Sequence, residues 1–96
     1  MKLKMFAIRD SKAEAFERPF FFGTHGEAIR AWDEAVNDPQ SPFFKHPNDY
    51  CLFEVGEFDR ITGALSIPPH PISHGSAFEF HKGNSQVSMI PRAVTP

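Results

Sequence analysis

Cations and phenylalanines crowd the start of this chain: Lys2, Lys4, Arg9, Lys12 and Arg18 are interleaved with Phe6, Phe16 and the run Phe20, Phe21, Phe22. Single-stranded DNA is held without sequence preference by cations that follow the phosphates and by flat aromatic faces on which the bases stack. On that chemistry Lys2, Lys4, Arg9, Lys12 and Arg18 are the candidate phosphate contacts. Phe16, with Phe20 or Phe22, is the candidate stacking platform. The same residues also suit a plainer arrangement, in which the phenylalanines are core and the charges form a solvated rim.

Other chemistries find less support. His46, His70, His74 and His81 lie in a loop and a tail without the cysteine and histidine spacing of a structural zinc site, so no metal ligands are expected. Cys51 alternates with Phe53 and Val55 on an apolar face, where a buried, inert thiol is expected. As the single cysteine it excludes an intramolecular disulfide, which fits a reducing cytosol. Ser11, His25 and the scattered carboxylates match no catalytic pattern, and no glycine-rich phosphate loop follows a strand. The expectation is a non-enzymatic protein without a cofactor.

With 96 residues the chain makes one domain, which buries roughly 60% of the surface its unfolded form exposes. Eleven phenylalanines suit a small core, because each buries a large area. A net charge of −2 weighs against binding nucleic acid through bulk positive charge. The distribution is lopsided: through residue 30 six basic residues face four acidic ones, whereas from 31 to 59 Lys45 alone faces seven acidic residues. The apolar run from Met5 to Ile8 is too short for a signal-peptide core, and nothing approaches a membrane span. A soluble, intracellular protein with no membrane partner is expected.

The elements that must position these residues follow from periodicity. Lys2 to Arg9 alternates and then turns apolar on both faces, as a strand does when it runs from the surface into a sheet. Ser11 to Arg18 is a charged, structured connection, and Phe20 to Phe22 forms a second strand closed by Gly23. Thr24 and Glu27 form a capping box ahead of a helix whose stripe is Ala28, Ile29, Trp32, Ala35 and Val36. Asn37, in a left-handed conformation, and Pro39 end it. His46 to Asp49 is a turn, and Phe43 and Phe44 pin the loop before it. Tyr50 to Phe58 is the third strand, interrupted at Gly56 by a bulge or a close backbone approach. A turn from Asp59 to Gly63 leads to the fourth strand, Ala64 to Ile67. The order β-β-α-β-β predicts an α+β fold: a small, mainly antiparallel four-stranded sheet with one amphipathic helix on one face. The domain is placed at 1–67 and an extended tail rich in Pro, His, Ser and Gly at 68–96, partly disordered or docked. Ala77 to His81 is the segment expected to dock there as an added strand. Phe20 to Phe22, on an edge, suits pairing with a second copy.

Three blocks carry a family resemblance: A-I-R-D-S-K-A-E-A-F-E-R-P-F-F (7–21), G-E-A-I-R (26–30) and L-F-E-V-G-E-F-D-R-I-T-G-A-L (52–65). Over roughly residues 1–70 the chain resembles the small nonstructural protein of gokushovirus-type microviruses, tailless phages with circular single-stranded DNA genomes. The resemblance implies a non-enzymatic accessory of genome synthesis or packaging, in the host bacterial cytoplasm and outside the mature virion. It implies no catalytic residues. Two functions are carried forward: binding of single-stranded DNA, and a dimeric adaptor for a viral or host protein.

Overall fold

A computed structural model describes residues 1–83. Its centre is an antiparallel pair of long strands, β1 (Lys2–Asp10) and β4 (Tyr50–Asp59), in register from Lys2 opposite Asp59 to Asp10 opposite Tyr50. Two short strands, β2 (Ala15–Phe16) and β3 (Phe20–Phe22), line the free edge of β1, and two more, β5 (Leu65–Ser66) and β6 (Ile72–Ser76), line that of β4. The fold is the expected α+β arrangement with an antiparallel sheet, but the sheet has six strands where four are predicted. The two unpredicted strands carry little periodic signal: β2 is only Ala15–Phe16, closing a hairpin on β1, and β6 reads Ile-Ser-His-Gly-Ser.

The helix α1 (His25–Val36) crosses one face of this sheet, with Ala28, Trp32 and Val36 buried against Phe6, Ile8 and Leu52. Burying a side chain such as Leu52 or Val36 fully contributes about 1.5–3 kcal/mol, so these few residues carry the fold. Phe20, Phe22, Phe43, Tyr50 and Phe80 close the rim of the cluster. The loop after α1 contains a four-residue helix, α2 (Pro42–Lys45), whose Phe43 packs edge-on between Trp32 and Tyr50 at 5.0 and 4.9 Å. The loop is pinned as predicted. A 3-10 turn, Pro47–Asp49, then realises the expected turn, with Asp49 N–H donating to the His46 carbonyl.

Several local expectations need correction. Thr24 caps α1 through the Glu27 N–H at 3.1 Å, but the Glu27 carboxylate accepts from Gly23 N–H instead of Thr24 N–H. Asn37 is not left-handed (φ −97°). It closes α1 with its side chain, donating from Nδ2 to the Asp33 and Phe80 carbonyls at 2.9 and 3.0 Å, while its Oδ1 accepts from Lys82 N–H at 2.9 Å. The added strand beyond residue 67 is Ile72–Ser76, and Ala77–Phe80 is instead the short helix α3, capped by Ser76 and Glu79. Ala77 is fully buried and belongs to the core, because α3 seats it beside α1.

Gly56 does what its place in β4 suggests. Pairing slips by one residue between Met5 opposite Gly56 and Phe6 opposite Glu54, leaving Val55 as the extra residue of a bulge. A Cβ at Gly56 would lie 3.1 Å from the Ser66 carbonyl, so the glycine also permits the approach of β5. The turn from Asp59 is closed by Gly63 at φ +78°, as predicted, and its Asp59 Oδ1 accepts from Ile61 and Thr62 N–H. Among the described residues no helix is long and apolar enough to cross a membrane.

Candidate nucleic-acid interface

Register and two-residue alternation divide the side chains of the sheet. Lys4, Phe6 and Ile8 share the face under α1 with Leu52 and Glu54, as their buried cluster requires. Leu3, Met5, Ala7 and Arg9 therefore point to the other face, with Cys51, Phe53 and Phe58 from β4. Phe21 stands opposite Met5 and Phe16 opposite Arg9, which brings both to that face as well. Ring contacts agree: Phe16 meets Phe53 edge-on at 5.4 Å, and Phe21 meets Phe58 at 6.1 Å. No helix among the described residues is packed there. The result is an open sheet face carrying two pairs of phenylalanines, with Phe16 and Phe21 exposed at 42% and 45% and Phe53 and Phe58 half-buried.

The structure sorts the predicted site residues into two groups. Arg9 and Phe16 are cross-strand partners on the open face. Lys12 lies in the β1–β2 turn, whose backbone is held by Asp10 Oδ1 accepting from Lys12 and Ala13 N–H. Arg18 follows β2 and is exposed. Among the described residues Arg9, Lys12 and Arg18 form no ion pair. Lys2 and Lys4, in contrast, alternate to the opposite face and both approach Glu57, at 3.9 and 3.2 Å. They are separated from the aromatic face by the thickness of the sheet.

Phe20 and Phe22 pack around Phe6 at 6.4 and 6.3 Å on the α1 side, partly buried at the rim of the core and on the face opposite Phe16. Phe21, Phe53 and Phe58, which the sequence does not single out, lie instead on the open face with Phe16. The alternation of Cys51 and Phe53 predicts a core face, whereas both stand on the open one. Cys51 itself is half-buried on the open face, its Sγ 3.4 Å from Ser73 Oγ, and is not the buried thiol expected.

The two faces also differ electrically. At one end of the helix-side face the Tyr50 phenol is pushed above its ordinary value by burial and by the negative charges of Asp10, Glu17 and Asp49. Further along, burial opposes ionisation of Glu54. Hydrogen bonds from His74 and His25, and the Lys4 charge, outweigh that cost, so its carboxyl lies below the ordinary range. Such a carboxylate-rich face repels phosphate, whereas the side chains assigned to the open face by β1 and β4 include Arg9 and no carboxylate.

Residues 3–80, from β1 through α3, match the family described as Phage ORF5 protein. The chain belongs to the Phage ORF5 protein family. No curated protein and no solved structure matches it. The match takes in both faces of the sheet and the C-terminal β6 and α3, so the family domain includes the strand and short helix that lie beyond residue 67. This Phage ORF5 chain therefore carries, within the family's span, an aromatic sheet face and three cations that form no ion pair among the described residues.

Proposed function

We propose that this phage protein binds single-stranded DNA across the open face of its sheet, as a non-enzymatic nonstructural accessory of genome synthesis or packaging in a gokushovirus-type microvirus. The observation that carries the reading is the coincidence, on the sheet face opposite α1, of exposed Phe16 and Phe21, half-buried Phe53 and Phe58, and Arg9. Bases stack on the rings, while Arg9, Lys12 and Arg18 meet the phosphates along the edge of β1. Such binding is indifferent to sequence, because every base offers a π-face and the cations contact only the backbone. On this reading the protein acts in the host bacterial cytoplasm and is absent from the mature virion.

The test is fluorescence anisotropy of labelled oligothymidylate with the wild-type protein and Phe16→Ala. Phe16 is 42% exposed, so its removal leaves the fold in place. Loss of one stacking contact costs about 1–3 kcal/mol, a weakening of roughly 5- to 150-fold. No binding at low salt, or equal affinity of the two proteins, refutes the proposal.

A second reading uses the same apolar surface: a dimeric adaptor, in which a second copy or a viral or host protein covers the sheet. Exposed Phe21, on the outermost strand β3, and exposed Leu65 on β5 favour it. A dimer in light scattering that dissociates in Phe21→Lys, without any change in DNA affinity, would select it over the first.

A further inference from the structure

Three residues far apart in the chain converge on the other side of the sheet. His25 is the first residue of α1, Glu54 lies in the middle of β4, and His74 belongs to β6. Their ligand-bearing atoms lie within 4.8 Å of one another. His25 Nε2 and His74 Nε2 reach the same carboxylate oxygen, Glu54 Oε1, at 2.7 and 3.2 Å. The two imidazole rings are 5.1 Å apart, and both rest against the fully buried ring of Phe6.

The backbone is shaped to deliver one of them. Leu52 pairs with Gly75 and Phe53 with Ser73, so His74 is the extra residue of a bulge in β6. A bulge re-aims a side chain that regular alternation would have sent elsewhere. Gly75 permits it: its φ is +120°, and a Cβ there would sit 2.8 Å from the Phe80 ring. Glu54, with 14% of its side chain exposed, is a carboxylate set at the edge of a phenylalanine-rich core. Lys4, the nearest cation on β1, is committed to Glu57 at 3.2 Å, which leaves the imidazoles as the direct partners of Glu54.

We propose that His25, Glu54 and His74 form a binding site for a divalent ion of the zinc class, with ligands His25 Nε2, His74 Nε2 and Glu54 Oε1. Two imidazoles and a carboxylate are a donor set that suits zinc. At bond lengths of about 2.0–2.2 Å, tetrahedral ligand atoms stand about 3.4 Å apart. Glu54 to His74 is already near that spacing, and Glu54 to His25 reaches it by a small rotation of the His25 ring, whose side chain is 48% exposed. The same exposure leaves a fourth position for water. Each neutral imidazole binds through an unprotonated Nε2 with its proton on Nδ1, so the ion takes the place of the two imidazole contacts to Glu54 Oε1 and ties β6 to α1 and β4. The site lies on the face opposite Arg9 and Phe16, so it stands or falls independently of DNA binding.

The experiment is isothermal titration of the chelator-treated full-length protein with ZnCl₂ at neutral pH, beside thermal unfolding with and without the ion. One ion per chain is expected, with an upward shift of the unfolding midpoint. His25→Ala and His74→Ala should each weaken binding by more than the ~10- to 100-fold that loss of an outer-shell partner costs. His25→Ala removes an exposed ring at a helix start, and its circular dichroism should match that of the wild type, so its loss of binding cannot come from unfolding. A His46→Ala, His70→Ala double variant should bind like the wild type. Absence of saturable binding, undiminished binding by His25→Ala, or loss of binding in the His46, His70 variant would overturn the site.

Discussion

The division of cations between the two faces makes a quantitative prediction about salt. If the open face binds single-stranded DNA, the phosphate contacts are Arg9, Lys12 and Arg18, which form no ion pair among the described residues, and not Lys2 or Lys4, which Glu57 holds at 3.9 and 3.2 Å on the opposite face. Each phosphate neutralised on a single strand contributes about −0.7 to the slope of log K against log salt, so three contacts give a slope of about −2. Raising salt from 50 to 200 mM should therefore weaken binding roughly 15- to 20-fold. Replacing Arg9, Lys12 and Arg18 together by alanine should flatten the slope to near zero. Replacing Lys2 and Lys4 should leave it at about −2, since those charges face away from the strand. Anisotropy titrations of labelled oligothymidylate at four or five salt concentrations read these slopes directly. A Lys2, Lys4 variant with a flattened slope, or a triple variant with an unchanged one, would show that the DNA path does not follow this face.

Other outcomes follow from packing. Asn37→Ala removes the side-chain bonds that join the end of α1 to Phe80 and Lys82, and should cost about 1–3 kcal/mol in urea denaturation. Ending the chain after Ile67 removes β6 and the buried Ala77, and should abolish cooperative thermal unfolding. The Asp59 carboxyl is held below its ordinary value of 3.8 by the Ile61 and Thr62 N–H groups, so its contribution to stability is present above that pH and is lost as pH falls through its folded value. Asp59→Asn, which keeps an acceptor without the titration, should lose less stability than the wild type between pH 5 and 3 in denaturant titrations.

Much of the architecture is legible in the residue order, because local rules fix it. The stripe from Ala28 to Val36, the Thr24 cap, the glycine of the Asp59 turn and the interruption at Gly56 all correspond to observed features. These depend on neighbours a few residues away, or on what a backbone without a side chain allows. The clustering of Arg9, Lys12, Phe16 and Arg18 was equally visible, since all lie within one hairpin and its exit.

What only the tertiary structure decided is which face is which. β1 and β4 are apolar on both sides over Phe6, Ala7 and Ile8 and over Cys51, Leu52 and Phe53, so alternation cannot say where α1 will lie. Its packing on Leu52 sets Phe20 and Phe22 at the rim of the core, leaves Phe21 and Phe53 on the open face, and sends Lys2 and Lys4 away from Arg9. The meeting of His25, Glu54 and His74 is hidden for a related reason. Their separations of 29 and 20 residues follow no ligand spacing, and His74 reaches the cluster through a bulge that only pairing with β4 creates. Contacts across a sheet depend on register, and register is a property of the assembled strands.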